Sequence, residues 1–191
     1  MRRTRLSLVR YLLVCALLAC VAGVARPGVT QAGAAVKVYT NSALHYSLTY
    51  PAGWTIDPKA DSKKIGAIEA TINPVVLELV SPDKSGHFLV LSKTSATADA
   101  TIRANIAGML KEGPALIGGV EFSTVKVNGI TYISGSATEK VGPSMTAFGY
   151  INGVSHGHFT YYAGGAYLLK QANSGNVAAT MKGIMSSFTL L

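Results

Sequence analysis

Val125-Lys-Val-Asn-Gly-Ile-Thr-Tyr132 and Phe148-Gly-Tyr-Ile-Asn-Gly-Val-Ser155 are two runs rich in β-branched and aromatic residues, each interrupted by an Asn-Gly pair. Asn-Gly readily takes the positive φ angles that two-residue hairpin turns demand, so each pair reads as the tip of a β-hairpin. The first hairpin then joins strands at 120–127 and 130–137 through Asn128-Gly129. The second joins 145–151 and 154–163 through Asn152-Gly153. Gly164-Gly165 reads as one further turn, into a strand at 166–170. The expected result is an antiparallel meander.

Upstream, residues 45–50 alternate in character as a short strand, ended by Pro51-Ala-Gly. Residues 58–64 read as a polar loop. Strands at 75–80 and 87–93 flank a Pro-Asp-Lys-Ser-Gly turn. Residues 99–111 form an amphipathic helix, with Ile102, Ile106, Met109 and Leu110 on one face. Asp99 and Lys111 complement its dipole, and Gly113-Pro114 stops it. Downstream, Val177, Met181, Ile184, Met185 and Phe188 make the stripe of a second helix, with Ser174 or Asn176 as its cap. A methionine-bearing stripe at this spacing belongs to a core. Strands, helix, meander and helix together predict an α+β domain, with helices packed on a largely antiparallel sheet.

The 191 residues suffice for one domain and a leader. The formal charge of +8 is unevenly placed. Arg2, Arg3, Arg5, Arg10 and Arg26 all precede residue 27, and the remaining chain has twelve Lys and Arg against nine Asp and Glu. A nucleic-acid-binding face would show a basic stripe. Lys59, Lys63 and Lys64, interrupted by Asp61, read as a solvated loop, and no nucleic-acid partner is expected.

Residues 11–24 contain no charge and follow four arginines, the pattern of an export signal. The apolar run is shorter than the roughly twenty residues of a spanning helix. Residues 1–35 are therefore assigned to signal peptide and linker, and 36–191 to the domain. Ala32-Gly33-Ala34 and Gly23-Val24-Ala25 both fit a small-x-small cleavage site. Leu17-Leu18-Ala19-Cys20 resembles a lipobox, which would place a lipid on Cys20 and a tether in the membrane. Both secretion and lipid anchoring stay open, and either makes the domain extracytoplasmic. Cys15 and Cys20 are the only cysteines, so the domain has neither disulfide nor thiolate metal site and relies on its core.

Two short stretches carry a family resemblance. Tyr46-Ser-Leu-Thr-Tyr-Pro-Ala-Gly-Trp54 resembles the opening of PsbP-like domains, in which a strand runs into a Tyr-Pro-x-Gly-Trp turn. Ile184-Met-Ser-Ser-Phe188 resembles the closing helix of the same family. The resemblance implies a Mog/PsbP-type α/β/α sandwich over residues 39–191. It further implies the branch of bacterial secreted proteins and lipoproteins, with docking or assembly roles rather than catalysis. Tyr50, Pro51, Gly53, Trp54, Ser187 and Phe188 are then structural. A physical reading agrees: proline ends the strand, glycine permits the bend, and tryptophan buries a large ring.

Candidate chemistry is sparse. Gly153-Val-Ser-His-Gly157 matches G-x-S-x-G, but a nucleophile elbow needs a strand turning into a helix, and the chain has no acid after Glu139. His156 and His158, two apart on an expected strand, would face one way and could share a metal ion. Zinc would need further ligands, for example His45 or His87 from other strands. Glu69 and Glu78 read as outward-facing. No Walker motif, phosphate-binding glycine loop or H-E-x-x-H helix occurs, so no cofactor and no catalytic residue is assigned. Tyr132, Tyr150, Tyr161, Tyr162 and Tyr167 fall in the meander, either as core beneath the helices or as a docking surface. The expectation is an exported, non-catalytic accessory or binding protein of the cell envelope with a protein partner. The alternative is a small metal-binding protein or enzyme using His156 and His158.

Overall fold

The computed structural model describes residues 35–57, 75–111, 116–170 and 174–191. The expected leader with Cys20, the expected loop at 58–64 and Glu69 lie outside the described residues. Seven strands form the main sheet, in the order β3-β4-β5-β9-β8-β7-β6. These are β3 (Thr55–Ile56), β4 (Val75–Val80), β5 (Gly86–Lys93), β6 (Leu116–Val127), β7 (Ile130–Lys140), β8 (Thr146–His156) and β9 (Phe159–Leu168). A small sheet has β2 (Tyr46–Pro51) between β1 (Val36–Asn41) and β10 (Thr189–Leu190). Every strand pairing among the described residues is antiparallel.

Among the described residues two helices pack on these sheets: α1 (Asp99–Lys111), between β5 and β6, and α2 (Ser174–Ser187), between β9 and β10. The main sheet is covered on both faces, which is why β5 is buried almost throughout. Leu89, Leu91, Ile133 and Tyr162 point to one face and pack with Ile102, Ile106, Met109 and Leu110 of α1. Phe88, Val90, Tyr132 and Tyr161 point to the other and pack with Met181, Ile184 and Phe188 of α2 or just beyond it, together with Tyr46, Leu48 and Trp54. Neighbouring residues thus serve opposite cores, as the two-residue period of a strand requires.

The first Asn-Gly pair turns the chain as expected, with φ of 47° at Asn128 and 83° at Gly129. The second does not. Asn152 and Gly153 lie within β8, paired with Ala163 and Tyr162 of β9. The turn falls later, at Gly157-His158, where Gly157 (φ 58°) holds the first central position that type II′ hairpins reserve for glycine. Gly153 has a different task. A Cβ there would sit 2.5 Å from Ile102 Cγ2, and one at Gly135 would strike Ile106 Cγ2. Bare backbone at these points lets α1 settle directly on the sheet.

Gly164-Gly165 likewise does not turn: of the expected separate strand at 166–170, residues 166–168 are the end of β9 and 169–170 form a turn. A side chain at Gly165 would collide with the His87 carbonyl, and one at Gly164 with the Tyr150 carbonyl. Strands β1 and β10 carry no strong sequence signal and exist by pairing with β2. Among the described residues no helix is long and apolar enough to cross a membrane.

Candidate binding site

Helix α2 lies over β9 and β5 and leaves part of the same sheet face open. The result is a groove of about 530 Å3 between α2 and strands β6 to β9. Strand alternation decides its lining. Phe148, Tyr150 and Asn152 of β8 share this face, as do Ser134 and Ser136 of β7 and Val125 and Val127 of β6. Tyr167 of β9 closes the floor, and its ring meets Phe148 at a centroid separation of 5.6 Å. The wall is α2, through Ala178, Ala179, Lys182 and Met185. Lys182 is exposed at the rim, whereas the side chain of Lys126, between Val125 and Val127, alternates onto the opposite face; the lining contains no carboxylate.

The five meander tyrosines divide between the two readings. Tyr132, Tyr161 and Tyr162 are buried in the cores. Burial pushes the Tyr132 hydroxyl up to about 12, with the neighbouring Tyr161 adding to the effect. Tyr150 and Tyr167 instead line the groove, half-buried. Tyr150 donates a hydrogen bond to the Met181 carbonyl at 3.1 Å, so its ring is fixed in place. Burial, and secondarily Tyr167, raises its pKa, so it remains a neutral donor.

His156 ends β8 and His158 sits in the turn, both exposed. The hairpin between them removes the strand geometry that would align their rings on one face. No group of three His, Cys, Asp or Glu is placed to hold a metal ion among the described residues. Ser155 lies at the end of a strand rather than in an elbow, and its Oγ accepts from the Thr97 amide at 3.1 Å.

Two buried acids were not legible as such. Glu78, expected to face outward, is 2% exposed, and its Oε1 lies 2.8 Å from His87 Nδ1. Glu139 is 5% exposed. A signal for Glu139 exists in the strand period: Ile133, Gly135 and Ala137 alternate onto the α1 face, and Glu139 follows in step. The motif residues form a hub. Trp54 is buried, and its amide bonds the Pro51 carbonyl at 2.9 Å in the tight bend. Tyr46 and Phe188 stack at 5.4 Å.

Solved structures share this arrangement. A solution structure of cyanobacterial PsbP (CyanoP) from Synechocystis sp. PCC 6803 matches with a TM-score of 0.54 at 14% identity, covering 87% of this chain and 98% of that one. The crystal structure of LpqN, described as involved in cell envelope biogenesis of Mycobacterium tuberculosis, matches at 0.52 and 13% identity, covering 84% and 87%. This chain has the PsbP-like fold. A crystal structure from Bacteroides thetaiotaomicron VPI-5482 also matches, at 0.51 and 12% identity, over 81% of this chain and 48% of that one. No protein-family model matches the sequence, and no curated protein matches it. At these identities the likeness of PsbP-like structures concerns the fold, and the residues of the groove are this chain's own.

Proposed function

We propose that this PsbP-like domain belongs to an exported, non-catalytic accessory protein of the cell envelope, and that it docks a protein partner in the groove between α2 and the sheet. The observation that carries the reading is the make-up of that groove: fixed aromatic rings, small serines, a rim lysine at Lys182 and no opposing carboxylate. Aromatic anchors within a polar rim are what protein interfaces use. The rim charge selects a segment bearing carboxylates beside apolar residues. The arginine-rich apolar leader and the envelope role stated for LpqN support the location. In this reading the protein falls in the secreted or lipoprotein branch, and processing at Cys20 would tether it to the membrane.

The test is capture from crosslinked cells of the protein's own source, using the tagged full chain and the Lys182→Glu variant. Wild type captures one stoichiometric envelope protein, and the charge-reversed variant captures about tenfold less, without loss of thermal stability because Lys182 is exposed. A partner retained equally by both proteins refutes the groove. The absence of any enriched partner refutes the docking role. A Cys20→Ala variant that leaves the membrane fraction identifies the tether, and unchanged partitioning dismisses it.

A further inference from the structure

On the opposite sheet face, the last turn of α1 does not seal against the strands. Met109 and Leu110 roof a small pocket of about 40 Å3 whose floor is Gly149, Ala147 and Ala166. The space follows from side-chain size, since glycine and alanine stand where larger residues would meet the helix. The lining is apolar with one exception, Glu139. Its Oε1 is buried and has no hydrogen-bond partner among the described residues.

A buried carboxylate ordinarily has a partner, because an unpaired one gives up its hydration with nothing in exchange. Among the described residues none is supplied to Oε1. The other titratable group of the lining is Tyr162, whose hydroxyl already accepts from Asn105 Nδ2 at 2.8 Å. Helix α1, β6, β8 and β9 contribute no cation to the lining. Burial alone raises the Glu139 pKa to about 7, with no neighbouring charge among its causes. The roof is also the C-terminal end of a thirteen-residue helix, where the dipole favours positive charge.

We propose that this pocket is a binding site for a small primary ammonium compound, its apolar part on the Gly149–Ala166 floor and its ammonium group on Glu139. The site is separate from the α2 groove and lies on the other face of the sheet, so the two stand or fall independently. The ammonium provides the missing hydrogen-bond donor and the missing charge together. A neutral molecule of the same shape provides neither charge nor response to pH.

The experiment is NMR titration of the isotopically labelled full chain with n-propylamine and, separately, n-propanol. Saturable shifts of the Ala147, Gly149 and Ala166 amides are expected with the amine. Its affinity should fall about tenfold from pH 8 to pH 6, as Glu139 protonates. Glu139→Gln should abolish the amine response while the spectrum stays folded. Equal binding of amine and alcohol, binding retained by Glu139→Gln, affinity independent of pH, or no saturable shifts in wild type each overturns the proposal. Should Glu139→Gln misfold, the wild-type pH series and the alcohol comparison still decide.

Discussion

Ser187 Oγ accepts a hydrogen bond from the Thr49 amide at 2.8 Å, across 138 residues of sequence. The same hydroxyl reaches the Ile184 carbonyl at 2.7 Å and the Thr49 carbonyl at 3.2 Å. One side chain thus fastens the end of α2 to the central strand of the small sheet. It is where the opening and closing motifs of the chain meet. Asn128, at the tip of the first hairpin, adds a bond from Nδ2 to the Phe188 carbonyl at 2.9 Å.

Ser187→Ala removes this fastening and leaves the Thr49 amide without its acceptor. Such a loss costs about 1–2 kcal/mol. Urea denaturation should show a lower midpoint with an unchanged slope. A midpoint equal to wild type would mean that the motif serine has no role in stability.

The Glu78–His87 pair predicts a larger effect. Both side chains are almost fully buried. His87→Ala takes a hydrogen-bonding partner from a buried carboxylate and opens a cavity, with an expected loss of about 3 kcal/mol or more. Thermal unfolding is the simple readout, and a shift smaller than that of Ser187→Ala would contradict the burial.

Glycines predict opposite signs at two positions. Gly153→Ala drives a methyl group toward Ile102 and should destabilise by about 1–3 kcal/mol. Gly183 is exposed within α2, and a Cβ there meets nothing within 4 Å. Gly183→Ala should therefore stabilise by about 0.5–1 kcal/mol, through helix propensity. Paired denaturation curves test both, and movement in the same direction would refute the assigned position of α1 or of α2.

Glu139 makes stability depend on pH. Its carboxyl titrates at about 7 when folded, against 4.5 for an unperturbed group. Between these values the folded chain binds the additional proton, so stability declines as pH rises and the decline is complete above pH 7. The size is on the order of 3 kcal/mol. Glu139→Gln should flatten the profile in that window and be the more stable form at pH 8. A wild-type profile already flat between pH 5 and pH 8 would show that the carboxyl is hydrated.

The helices were legible because their apolar spacing is local. Ile102, Ile106, Met109 and Leu110 recur at helical intervals, and all four are buried. The turn at Asn128-Gly129 was legible for the same reason, since φ preference belongs to the residue itself. Asn152-Gly153 carries the same letters and makes no turn. Its glycine answers the approach of Ile102 and Ile106, and its asparagine donates within the sheet to the Ala163 carbonyl at 3.3 Å. A glycine needed for φ and a glycine needed for space look alike until the neighbour is known.

By itself the sequence determined the helices at 99–111 and 174–187, the first hairpin and the Tyr46–Trp54 and Ile184–Phe188 motifs that mark the PsbP-like fold. These depend on charge, periodicity and local backbone preference. Tertiary structure decided the rest: which tyrosines line a groove, that His156 and His158 flank a turn, and that Glu78 and Glu139 lie inside. Those properties depend on which strands become neighbours and which face a helix covers, and even the strand period that carries Glu139 inward is informative only once α1 is known to cover that face.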